Sequence, residues 1–233
     1  MSHSSTRFLI LPFALVLTLC AGYGEAGVVT FEYTAEYTGG ASPQGTSPWL
    51  RATFSNEGLG SNQVKLTLET PGLVGNEFVT KWLFNVDPAF DPIGLVFSHQ
   101  GGLAPSNIDP DADKVNPGKF DLGIYFPTAN DAPGRFTGGQ SSELLIEWFG
   151  GGPLGPIGPD SPPPLTLLPE SFLFVAAGNR DLLTGAHVQG IAVPPGSGWV
   201  TGGPETPVPE PATLVLIGSG LLGLAVRRRR SRP

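Results

Sequence analysis

The stretch Val29-Thr30-Phe31-Glu32-Tyr33-Thr34-Ala35-Glu36-Tyr37 decides the fold. Apolar or aromatic side chains stand at 29, 31, 33, 35 and 37, with polar ones between them, a strict period of two. A strand sends successive side chains to opposite faces, so this pattern predicts a strand with one buried and one wet face. The alternation recurs at Val64, Leu66 and Leu68 against Gln63, Lys65, Thr67 and Glu69, and at Trp82, Phe84 and Val86 against Lys81 and Asn85. Phe120, Leu122, Ile124 and Phe126 repeat it once more. Weaker strands are expected at 49–54, 93–97, 143–149, 172–176 and 187–193, giving about nine short strands joined by turns.

Composition points the same way. Of 233 residues, 33 are Gly and 25 are Pro, and no stretch of the body free of both exceeds the twelve residues 76–87. That is too short for an ordinary helix with its caps. With 40% apolar and only 14% charged residues, the chain can bury a core. The expected fold is therefore all-β: a single antiparallel β-sandwich, jelly-roll-like, over residues 27–193, since two sheets can share the apolar faces. Within it, residues 150–169 hold twelve Gly or Pro and read as a long surface loop. Residues 194–207 read as a Pro/Gly-rich stalk.

Both ends carry addressing patterns. Residues 1–26 read as a signal peptide: Arg7 gives the positive start, 8–19 form a twelve-residue apolar run, and Gly24-Glu25-Ala26 places small residues for cleavage after Ala26. A permanent N-terminal anchor fits less well, because twelve helical residues reach only about 18 Å of a hydrocarbon core roughly 30 Å thick. Cys20 follows Leu19, where a lipoprotein signal wants a small residue. At the other end, residues 208–233, Val208-Pro209-Glu210-Pro211 precedes fifteen uncharged, mostly apolar residues, 212–226. Arg227, Arg228, Arg229, Arg230 and Arg232 close it. The pattern predicts a short transmembrane helix held by cytoplasmic arginines, which leaves the body on the far side of the membrane.

Pro-Glu-Pro, a short apolar helix and a terminal basic cluster resemble the PEP-CTERM sorting tail of exported proteins in Gram-negative bacteria. The resemblance implies that an exosortase, a membrane-embedded cysteine transpeptidase-like enzyme, recognises Pro209-Glu210-Pro211 and removes the helix and arginines. Val208, Pro209, Glu210, Pro211 and Arg227 to Arg230 would then be substrate residues. The segment Ala186–Ile191, followed by Ser197-Gly198-Trp199, is similar to what often precedes this tail in such surface proteins. The implied destination is the cell surface or extracellular matrix, after transient inner-membrane anchoring.

Charge and motif narrow the chemistry. Residues 27–208 carry seven basic and eighteen acidic side chains, a net of −11, which argues against nucleic acid as a partner. The single cysteine, Cys20, excludes a disulfide framework, a thiolate zinc site and an iron–sulfur cluster. Asn107, Asp109, Asp111 and Asp113, with Asp121 beyond, place oxygen ligands at alternate positions like the start of a calcium loop. Lys114 stands where such a loop needs its glycine, so a solvated acidic turn is the competing reading. No Gly-x-Ser-x-Gly, His-Glu-x-x-His or phosphate-binding loop is present, and no cofactor is expected. Glu32/Glu36 and Glu143/Glu147 lie four strand residues apart, about 13 Å, too far for a glycosidase pair on one strand. The expected function is structural or adhesive, associated with exopolysaccharide. The alternative is a secreted carbohydrate-active hydrolase whose carboxylates come from different strands, and exposed tryptophans among Trp49, Trp82, Trp148 and Trp199 would stack on sugar rings.

Overall fold

The computed structural model describes residues 27–110, 112, 119–129, 134–149, 165–175 and 182–205. The signal peptide, the sorting tail and most of the 150–169 loop lie outside the described residues. Eleven strands occur among the described residues: β1 Val28–Glu36, β2 Leu50–Ser55, β3 Gln63–Glu69, β4 Phe78–Phe84, β5 Leu95–Gly102 and β6 Asn107–Asp109. They continue with β7 Leu122–Tyr125, β8 Phe136–Thr137, β9 Ser141–Trp148, β10 Thr184–Ala192 and β11 Pro195–Pro204. All pair antiparallel in one sheet, ordered β5-β9-β3-β2-β1-β11-β10-β4-β7-β6, with β8 also on the β4 edge.

The all-β antiparallel architecture expected from alternation is the one observed, and one continuous sheet supplies both faces of the core. Its outermost strands are consecutive in the chain. From Gly102 to Asn107 the backbone spans at most roughly 18 Å when extended. The link is tied to both rims: Leu103 N–H donates to the Ser141 carbonyl at 2.8 Å and Ser106 N–H to the Tyr125 carbonyl at 2.8 Å. The sheet is thus nearly closed into a barrel.

Curling is visible in the aromatic contacts. Phe54 on β2 meets Phe84 on β4 edge to face at 5.1 Å, although β1, β11 and β10 lie between their strands in the sheet. Tyr33 meets Trp82 at 5.2 Å, and its hydroxyl hydrogen-bonds Thr184. Such pairs are worth about 0.5–1.5 kcal/mol beyond the area they bury. Val64, Leu66 and Leu68 of β3 and Leu144 and Ile146 of β9 are fully buried, as alternation requires.

Three expectations are corrected. Ala35 faces solvent because a bulge between Tyr33 and Ala35 breaks the period of two. Residues 172–176 form no strand within the described part. Pro169–Phe172 make a 3-10 turn, with Leu168 N–H held by the Ser171 hydroxyl, and the turn delivers Phe172 into the core, stacked on Phe54 at 4.1 Å. The stretch read as a stalk is instead β11, hydrogen-bonded between β1 and β10 through residues 195–204. Its prolines stand only at its two ends, so the interior Gly196 to Gly203 is free to pair on both sides.

Glycine is required at two places in β11 because neighbouring backbone comes too close for a side chain. A Cβ on Gly198 would lie 2.0 Å from the Ala41 carbonyl oxygen, and one on Gly202 would lie 2.1 Å from that of Glu32. At Gly203 a Cβ would meet nothing within 4 Å. Gly198→Ala is therefore expected to destabilise the protein by about 1–3 kcal/mol. Gly203→Ala, in the same strand, should stay within about 0.5 kcal/mol of the parent. Urea unfolding of the two variants checks this, and equal losses would remove the steric explanation.

Candidate functional site

Four strands that bury one face of the sheet present a row of large side chains on the other. Ala186 and Val188 are buried on either side of His187, Gly198 and Val200 on either side of Trp199, and Ile124 and Phe126 on either side of Tyr125. Pairing register lines the outward members up. His187 stands opposite Trp199 on one side and Lys81 on the other, Lys81 opposite Tyr125, and Tyr125 opposite Asn107. Tyr37 extends the row beyond β1, its N–H donating to the Trp199 carbonyl at 3.1 Å. Six residues from separate strands or strand ends thus form one line across the outside of the sheet.

The members hold one another. The His187 and Trp199 rings stack at 4.7 Å with 24° between planes. The Lys81 ammonium lies 4.9 Å from the Tyr125 ring centre and 5.7 Å from that of Trp199, cation–π geometry on both sides. A bulge at β4 brings Thr80 Oγ1 to 3.0 Å from His187 Nδ1. Burial, then the Lys81 charge, pushes the His187 imidazole below its ordinary value. Partial burial lowers the Lys81 ammonium. Burial, then the Asp109 carboxylate, raises the Tyr125 phenol.

The other half of the exterior is different. Across β3, β2 and β1 runs Glu69, Arg51 and Glu32, with Arg51 Nη2 2.7 Å from Glu32 Oε1. The Arg51 hydrogen bond holds Glu32 below the usual carboxylate range, while the neighbouring Glu205 is pushed up by its hydrogen bond to Glu32 and by burial. Gln63 Nε2 donates to Glu147 at 2.7 Å, and the Thr30 and Thr53 hydroxyls meet at 3.2 Å.

The residues singled out in the sequence are distributed unevenly. Trp82 is core, Trp49 and Trp148 pack against the core, and Trp199 alone of the four belongs to the outer row. Asp109 lies on β6, and Asp121 uses Oδ2 to accept the Val86 N–H at 2.9 Å. Asp111 and Asp113 lie outside the described residues, and among the described residues no group of three metal-binding side chains forms. Val208, Pro209, Glu210, Pro211, the 212–226 helix and Arg227 to Arg230 also lie outside them. Among the described residues no helix is long and apolar enough to cross a membrane. Nothing local marks Tyr37, Lys81 and Tyr125 as members of a site, and Asn107 is marked only as the head of the candidate calcium loop. Only cross-strand register brings them together.

The lowered His187 value sets a pH dependence. Above its ordinary value of 6.5, folded and unfolded chains both carry a neutral imidazole. Below it the unfolded chain takes up the proton first, so stability declines as pH falls and levels off once the folded imidazole is charged too. Melting temperatures between pH 7.5 and 5, compared with His187→Gln, should show a decline from about pH 6.5 that the variant lacks. Parallel profiles would mean that the imidazole ionises as freely in the fold as outside it.

Comparison with known proteins adds one match. No curated protein and no solved structure matches the chain. Residues 207–230 match the model of the PEP-CTERM protein-sorting motif. The resemblance read from Pro209-Glu210-Pro211, the apolar run and the arginines therefore holds, and the chain is an exported protein bearing the PEP-CTERM motif by which an exosortase takes its substrates.

Proposed function

We propose that this protein is delivered by exosortase processing to the cell surface or extracellular matrix, where its β domain serves a structural or adhesive, exopolysaccharide-associated role. The observation that carries the reading is the sorting motif at 207–230. Its 212–226 run and Arg227 to Arg230 would hold the chain transiently in the inner membrane until the tail is removed. The fold supports the idea that the domain is cargo: β11 ends at Pro204 and the motif begins at 207, so the recognition site follows the folded strand almost directly.

Replacing Pro209-Glu210-Pro211 with three alanines should leave the Arg-tailed form in the inner membrane, while the parent loses its tail. Intact mass of the membrane and surface fractions reads the difference. Equal surface release of the alanine variant would sink the reading.

A second reading, a carbohydrate-active hydrolase, draws on Glu32 and Glu205, two hydrogen-bonded carboxyls whose ionisation is driven apart as an acid–base pair requires. Against it, Glu32 is engaged by Arg51, and Glu205 is exposed on the outside of the sheet. Release of reducing ends from a glycan by the parent and not by Glu205→Gln would favour the hydrolase.

A further inference from the structure

We propose that the outer row of Tyr37, Trp199, His187, Lys81, Tyr125 and Asn107 is a binding surface for a carboxylate-bearing polysaccharide, a glycan strand containing uronic acid residues. The inference rests on the exopolysaccharide-associated role proposed above and gives it a place and a ligand chemistry.

The first support is a comparison within the molecule. Over β3, β2 and β1 the exterior carries side chains that satisfy one another: Arg51 with Glu32, Gln63 with Glu147, Thr30 with Thr53. Over β11, β10, β4 and β7 the same sheet carries aromatic rings and a cation, all half-buried, on the face turned away from the core. Stacking of the rings contributes to the sheet, but part of each large side chain stays in contact with solvent, and a contiguous exposed patch of that kind marks an interaction site.

The second support is what the row leaves unspent. Among the described residues no carboxylate pairs with the Lys81 ammonium, which lies between the ring faces of Tyr125 and Trp199. Within the same limits, the Trp199 Nε1–H, the His187 Nε2 and the Asn107 amide take no hydrogen bond. A partly desolvated ammonium flanked by rings and hydrogen-bonding groups is complementary to a sugar ring that presents an apolar C–H face, hydroxyls and a carboxylate. Each component of the ligand has a counterpart.

The third support is shape. Five inter-strand spacings separate Tyr37 from Asn107, roughly 24 Å measured along the curved sheet. That suits a strand of several sugar rings that lies across the β-strands and follows their convex outer face. The domain as a whole is acidic, net −11 over residues 27–208, so diffuse attraction cannot bring an anionic polymer here. Capture has to come from the local ammonium, which makes Lys81 the deciding residue.

The test uses the full-length protein in detergent and two probes, polygalacturonate and the same polymer with its carboxyls reduced to alcohols. The parent should bind polygalacturonate and hold the reduced polymer more weakly. Lys81→Gln should weaken binding to polygalacturonate by about tenfold or more, with the reduced polymer unaffected. Trp199→Ala should weaken both. If that variant melts early, Trp199→Phe keeps a ring against His187 and should still lose the contribution of the indole N–H. Arg51→Gln, on the other half of the sheet, should stay within about twofold of the parent. Equal affinity for the two polymers, or a Lys81→Gln variant that binds like the parent, overturns the acidic-ligand assignment while a polysaccharide role stands. No binding to either polymer by a protein that is sorted and released normally overturns the glycan surface and leaves exosortase processing untouched.

Discussion

The whole sheet turns on β11. It pairs with β1 on one side and β10 on the other, and without it the strands would fall into two groups, β5-β9-β3-β2-β1 and β10-β4-β7-β6. The pairing is possible only because glycine stands at 198 and 202, where the Ala41 and Glu32 carbonyls press against the strand. Once the two groups are joined, the sheet curls far enough for Tyr33 to reach Trp82 and Thr184, and for Phe54 to reach Phe84. Phe172, brought in by its short turn, stacks on Phe54 from within. Core aromatic packing and the Gly-rich strand are therefore one cooperative feature.

The same pairing builds the outer face. In a strand, burying Ala186, Val188 and Val200 obliges His187 and Trp199 to point outward, and a shift of one residue would exchange the two sets. The core thus fixes the register, and the register fixes the row. This couples site and stability: the rings of His187 and Trp199 stack as neighbours in the sheet, while the Lys81 ammonium is held by two rings instead of a carboxylate.

Sorting obeys a different logic. Residues 207–230 match the sorting motif in consecutive residues: Pro209-Glu210-Pro211, an uncharged, mostly apolar run and four arginines. Strand β11 ends at Pro204, and the next residue, Glu205, donates its N–H to the Thr30 carbonyl at 2.8 Å.

Alternation at Val29 to Tyr33, Val64 to Leu68 and Trp82 to Phe84 was enough to establish an all-β protein, because side-chain direction in a strand follows from local backbone geometry alone. The sorting motif was equally legible, since it is written in consecutive residues. What escaped was everything that depends on partners distant in the chain. Ala35 turned outward through a bulge opposite β11, and Pro195 to Pro204 became a strand because β1 and β10 offered hydrogen-bonding edges on both sides. Tyr37, Lys81, Tyr125, His187 and Trp199 met for the same reason: register between strands is decided by how the core packs, and that information is distributed over the whole chain rather than held in any stretch of it.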